Sequence, residues 1–382
     1  MDLIPFDYAT LRLVWWLLLG VLLIGFAIMD GFDLGVAALL PFTARSDDER
    51  RVVLNTIGPV WEGNQIWLVL GGGAIFAAWP PLYAVSFSGF YIAMILILFA
   101  LILRPVGFTF RSQISNPRWR SVWDWALFVS GAVPALVFGV AVGNVLQGVP
   151  FRLDDTLRPF YEGNFFQLLN PFALLAGLVS LSMLVMHGAG MLVWKTEGPI
   201  QARARTYGGL AALAVIALFL LAGLWVWIGI DGYVITSAVV GDGPSNPLAK
   251  TVEMQAGAWL AAYTTRPWTM AAPILGLAGA AIAFLAFLAR REVLPFLASA
   301  VSILGIISTV GLAMFPVILP SSIDPRSSLT VFDASSSHYT LWMMVLATVV
   351  FLPIVLAYTA FVYRVMRGKV TAASVADNHH SY

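Results

Sequence analysis

The chain contains no cysteine, which excludes disulfides, thiolate-ligated haem, iron–sulfur clusters and a cysteine nucleophile in this polypeptide. Histidine is scarce as well. Of the four, His379 and His380 fall in the polar stretch DNHHSY, His338 sits in SSSHYT beside an apolar run, and only His187, in LVMHGAG, lies deep within one. A lone histidine there is expected to bond a neighbouring helix, and a multi-haem site cannot be assembled from this inventory. Charge is the third deficit, with Asp, Glu, Lys and Arg together at 11%. A net charge of +1 and a pI near 8.0 leave no basic face to neutralise phosphates, so no nucleic-acid partner is expected. P-loop, HExxH and GxSxG motifs are absent too.

What fills the space is apolar: 60% hydrophobic residues over 382 positions and a mean hydropathy of +0.86. Such a chain resides in a bilayer. Stretches of about 20 apolar residues cross roughly 30 Å of hydrocarbon, and nine are predicted, approximately over 11–40, 56–78, 83–103, 121–146, 165–194, 207–228, 268–288, 293–319 and 339–365. They make one polytopic membrane domain, all-α, over 1–382. Pro80, Pro81, Pro150, Pro199, Pro244 and Pro320 fall in or beside the connections, where helix breakers belong. The first run is too long for a signal-peptide core, and MDLIPFDYAT carries acids where a signal has basic residues; a retained first span is expected.

Nine spans place alternate connections on opposite sides. Of the 21 Lys and Arg residues, fifteen then fall on one face, among them Arg45, Arg50, Arg51, Arg104, Arg111 and Arg120, and six on the other. By the positive-inside rule the rich face is cytoplasmic, which puts the N-terminus outside and the C-terminus inside. The Asp-Gly-aromatic triplets in MDGFD and IDGYV are too short to establish an internal repeat.

Against this background two acids stand out. GFAIMDGFDLG places Asp30 and Asp33 three residues apart inside the first span, on one helix face and, for Asp30, roughly 28 Å along the span at about 1.5 Å per residue. The second span returns with WEGNQIW, putting Glu62 at similar depth. Acids inside a membrane cost several kcal/mol unless buried, paired or neutralised, and they mark proton or ion paths. Two readings follow. At least one of the three conducts protons or binds an ion, with Asp30 and Asp33 able to share a proton, or one pairs with Arg45, Arg50 or Arg51 and staples the bundle. Tryptophans near span ends, such as Trp79 and Trp194, fit interfacial belts, and GGGAIFAA lets helices approach closely.

DGFDLG at 30–35, DDERR at 47–51, WEGNQIWL at 61–68, GGGAIFAAWP at 71–80, SGFYIAMIL at 88–96, GNFFQLLNPF at 163–172, GIDGY at 229–233 and AMFPVILPSS at 313–322 resemble the second subunit of cytochrome bd-type quinol oxidases. The resemblance covers essentially the whole chain. It implies nine helices arranged as two four-helix bundles plus one peripheral helix in the bacterial cytoplasmic (inner) membrane. It implies a complex that oxidises quinol, reduces dioxygen to water and draws chemical protons from the cytoplasm. Haems b and d and the quinol site are then expected in the haem-bearing subunit I, with none of their ligands in this chain. A structural quinone in this subunit and a small single-span accessory subunit are compatible with the resemblance, and no motif assigns contacts to either.

Residue by residue, Glu62 in WEGN matches a position that is commonly aspartate in the family and is proposed to lie on a cytoplasmic proton path; the carboxylate is kept and lengthened by one methylene. Asp33 matches a family acid near the same interface. Trp67 matches a tryptophan proposed to lie at the mouth of a hydrophobic oxygen channel, with plain packing as the alternative. His187 and His338 fall where relatives carry other polar residues. A proton-coupled secondary transporter would also hold acids in its membrane spans, but should show a repeat and a broken-helix pair. A purely architectural subunit would need no such acids.

Overall fold

The computed structural model describes residues 4–376; His379, His380 and the C-terminal Tyr382 lie outside that range. Thirteen helices follow one another: α1 Tyr8–Thr43, α2 Asp47–Ile57, α3 Trp61–Ala78, α4 Pro80–Gly89, α5 Tyr91–Phe110, α6 Pro117–Gln147, α7 Pro171–Lys195, α8 Gly198–Gly229, α9 Ala261–Thr265, α10 Ala271–Leu288, α11 Leu294–Met314, α12 His338–Val365 and α13 Ala372–Ala376. Three antiparallel hairpins lie between them: β1 Phe151–Leu153 with β2 Pro159–Tyr161, β3 Asp231–Ile235 with β4 Val252–Ala256, and β5 Val317–Leu319 with β6 Leu329–Thr330.

Eight helices among the described residues are long and apolar enough to cross a membrane: α1, α5, α6, α7, α8, α10 with the turn before it, α11 and α12. The remaining expected span is α3. At 18 residues it matches the others' shortest members, but its opening WEGNQ is too polar for it to rank with them. Two other boundaries differ from expectation. The third span does not begin at residue 83, because that stretch forms the separate helix α4, started by Pro80 and Pro81 at its first positions. Gly89 ends it where the Tyr161 ring of β2 comes so close that a Cβ would lie 2.6 Å from ring carbons. The eighth span stops at Met314 rather than 319, since Pro316 cannot donate to the helix ladder and Val317–Leu319 pairs as β5 instead.

α1 packs along α7, α6 and α3, α5 lies on α6, and α7 lies on α8 and α11, while α10 joins α11 to α8. α1 is the axis. Asp7 caps it by accepting from Thr10 N at 2.6 Å, and its half from Asp30 to Leu40 is buried throughout. The closeness of α1 to α7 depends on Gly35 and Gly188, each of which meets the other helix's backbone where a Cβ would sit. α12 differs from the rest. Over its 28 residues only Leu341 is buried, and it touches α1 and α3 lightly.

Candidate functional site

The two α1 acids are buried completely, and the helices around them supply their partners. Arg104 of α5 donates through Nη1 to Asp30 Oδ1 at 2.6 Å, with both side chains shut off from solvent. Its guanidinium carbon also lies 5.9 Å from the Trp61 ring, which stacks on Phe108 at 5.6 Å. Asp33 has a neutral partner. Asn64 of α3 donates through Nδ2 to Asp33 Oδ2 at 2.8 Å, and the same amide's Oδ1 accepts from Tyr363 Oη of α12 at 2.8 Å. Asp30 Oδ2, Asp33 Oδ1 and the Nε and Nη2 of Arg104 are buried without a hydrogen-bond partner among the described residues. Charged and polar groups so placed are costly, and groups of this kind are found where a protein must handle a proton or ion.

Tyr363 faces a cavity of about 190 Å³ whose other polar walls are Asn55, Thr56, Lys195 and Ser374. Lys195, at the end of α7, points its ammonium at the carbonyls of Met366 (2.7 Å) and Gly368 (3.3 Å), while its own carbonyl accepts from Val370 N. The cavity thus lies between α2, α7 and the turn that follows α12.

Glu62 is placed differently from the α1 acids. It stands on the first turn of α3, exposed, two residues before Asn64 but on another face, and makes no ion pair or hydrogen bond among the described residues. The three expected acids therefore divide into a buried pair and an exposed single. Trp67 is buried against Gly25 of α1, where a Cβ would lie 2.6 Å from its ring.

The stapling arginine is not one of the three expected. Asp30 takes Arg104, while Arg50 is committed to Asp124 at 2.8 Å. Asp124 in turn holds Arg111 at 2.6 Å, Arg111 reaches Asp47 at 2.8 Å, and Asp47 binds Arg120 at 2.6 Å. This alternating chain ties α2, α5 and α6 together beneath the acids. On α2 the Ser46–Glu49 capping box is joined to α8 by Arg203, which holds the Glu49 carboxyl below its ordinary range.

His187 bridges helices, as its sequence context suggests. Its Nδ1 bonds Ser299 Oγ at 2.7 Å, its Nε2 bonds the Ile28 carbonyl at 2.9 Å, and its ring stacks on Phe296 at 4.4 Å. Both nitrogens are engaged by protein, so the residue is unsuited to an iron. His338 bonds the Phe6 carbonyl at 2.8 Å. Among the described residues no cluster of three or more His, Asp or Glu could hold a metal.

The description "Cytochrome bd terminal oxidase subunit II" fits residues 11–366. The chain belongs to that family. It is 50% identical over 375 residues to the cytochrome bd-I ubiquinol oxidase subunit 2 of Escherichia coli K12, covering 98% of this chain and 99% of the relative. The Bacillus subtilis cytochrome bd ubiquinol oxidase subunit 2 is 30% identical over 371 residues, with 95% and 98% covered. In fold it is similar to a chain from the structure of the bd oxidase of Geobacillus thermodenitrificans, with a TM-score of 0.64 over 93% of this chain and 98% of that one at 14% identity. Membership in this family together with eight apolar spans makes the chain a multi-pass protein of the bacterial inner membrane.

Sequence reasoning missed Arg104, Asn64, Tyr363 and Asp124. A signal existed for one: Arg104 lies within an apolar run on α5, seven residues before the Arg111 that caps it, yet it reads as a loop charge. For Asn64 and Tyr363 there was none, because they lie 299 residues apart.

Proposed function

We propose that the chain is the haem-free second subunit of a bd-type quinol:oxygen oxidoreductase, in which it supports assembly, cytoplasmic proton uptake and oxygen access. The observation that carries this reading is the match to subunit II along almost the whole chain, joined to a wholly buried acid pair that a merely architectural subunit would not need. In this reading α3 is the ninth span. α1, α3, α5 and α6 form one four-helix bundle, α7, α8, α10 and α11 the other, and α12 stands at the periphery. The N-terminus is outside and the C-terminus cytoplasmic.

The chain pairs with a haem-bearing subunit I that holds haems b and d, and quinol and dioxygen act on the complex. The engaged nitrogens of His187 support leaving the haems to that partner. A structural quinone and a small single-span subunit remain compatible with the arrangement. Asp33, Asp30 and Glu62 serve the proton path. Trp67 lines oxygen access, and its tight seat on Gly25 gives it a packing role as well. The transporter alternative is set aside, since the family assignment accounts for the same acids.

The test is an optical spectrum of the purified chain alone and with its co-purifying partner. The chain alone should show no haem, and the pair should show haem and quinol oxidase activity. A stoichiometric haem spectrum from the isolated chain, lost in His187→Ala, would contradict the assignment.

A further inference from the structure

Asp33 is fully buried, yet it is not cut off. From it a line of hydrogen bonds runs through the Asn64 amide, 2.8 Å on each side, to the Tyr363 hydroxyl, and Tyr363 forms part of the wall of the cavity bounded by Asn55, Thr56, Lys195 and Ser374. Three helices far apart in sequence each contribute one member. Glu62, by contrast, is exposed and joined to none of them. We propose that Tyr363 and Asn64 are positioning residues that form a gate between this cavity and Asp33, so that protons reach the buried Asp33 from between α2, α7 and α12. The inference rests on the proton-uptake reading above and specifies its entrance.

The chemistry lies in the amide. An ionised Asp33 only accepts, so Asn64 must turn its NH2 toward it and its carbonyl toward Tyr363, the arrangement observed. A protonated Asp33 can donate. A half-turn of the Asn64 amide then presents its carbonyl to the acid and its NH2 to Tyr363 Oη, and the tyrosine's own proton turns to the cavity. The direction of the chain thus follows the occupancy of Asp33. The net step is a carboxylate taking a proton from hydronium in the cavity, leaving carboxyl and water, with no redox change. Around the acid stand Asp30 on its own helix, Arg104 from α5, Asn64 from α3 and Tyr363 from α12. Tyr363 is the member that touches the cavity, and a phenylalanine there keeps the ring while deleting the hydroxyl.

The experiment uses the intact oxidase complex. Turnover per haem and the infrared carboxyl band of Asp33, identified by its loss in Asp33→Asn, are compared in the native complex, Tyr363→Phe and Asp33→Asn. Tyr363→Phe should shift the Asp33 band and slow turnover about fivefold, less than the 10²–10⁴ of a group that itself transfers a proton. If Tyr363→Phe has native turnover and an unshifted band while Asp33→Asn is slow, the gate is overturned and the proton-uptake reading stands. If Asp33→Asn also turns over normally, both fail. Should Tyr363→Phe assemble poorly, Asn64→Leu is read by the same band, and an unshifted band overturns the gate.

Discussion

Asp30 and Arg104 form an ion pair at 2.6 Å with both side chains essentially at zero exposure, linking α1 to α5 through the middle of the packed helices. Removing one partner leaves the other charged and dry, which costs about 3–5 kcal/mol. Asp30→Leu or Arg104→Leu alone should therefore sharply reduce the yield of assembled complex. The double replacement should recover most of it, because an apolar pair of similar volume carries no stranded charge. Equal losses in single and double variants, measured by yield and thermal stability, would show that the pair is not the reason for the loss.

Glu49 lies outside the spans and titrates in the opposite setting, partly open to water. Its hydrogen bond from Arg203, at 2.7 Å, lowers its pKa from the ordinary 4.5. A depressed folded pKa contributes stability that is present above the unfolded value and lost as pH falls through the folded one. Arg203→Met should destabilise by about 0.5–1 kcal/mol at neutral pH, and the difference should shrink below the unfolded value. A gap that widens in acid would contradict the assignment.

The division of fifteen basic residues against six predicts the orientation. A reporter fused after Tyr382 should act from the cytoplasm, and one placed near Asp242, in the loop between β3 and β4, from outside. Both on one side would mean that one of α10, α11 and α12, the three spans between the two positions, does not cross.

Glu62 is exposed on α3, so neutralising it disturbs no buried partner. Glu62→Gln should leave assembly and the haem spectrum intact and slow turnover several-fold if it collects protons at the complex surface, well short of the 10²–10⁴ of a buried donor. Native turnover removes it from any obligatory path.

The helices were legible because apolar length is written locally: α1, α6, α8 and α12 lie within a few residues or one turn of their expected limits, or extend them. The hairpins were not, since β1 and β2 have three residues each, too few for an alternating pattern to declare itself, and the nearby Val149–Ser321 bridge joins positions far apart in sequence. The acids Asp30 and Asp33 were visible as polar residues in an apolar run. Their partners were hidden, because Arg104 is separated from Asp30 by 74 positions and Tyr363 from Asn64 by 299, and no periodicity within one helix reports which face of another it will meet.

Asp33 is the buried acid whose hydrogen-bond partner is neutral rather than a cation. In the assembled complex, quinol oxidase turnover per haem of Asp33→Asn tests its role in proton uptake most directly, because the amide keeps the size and can still bond Asn64 but cannot carry a proton. If Asp33 takes up protons, yield and haem spectrum stay native while turnover falls about tenfold or more. Native turnover per haem in a normally assembled Asp33→Asn complex would contradict that role.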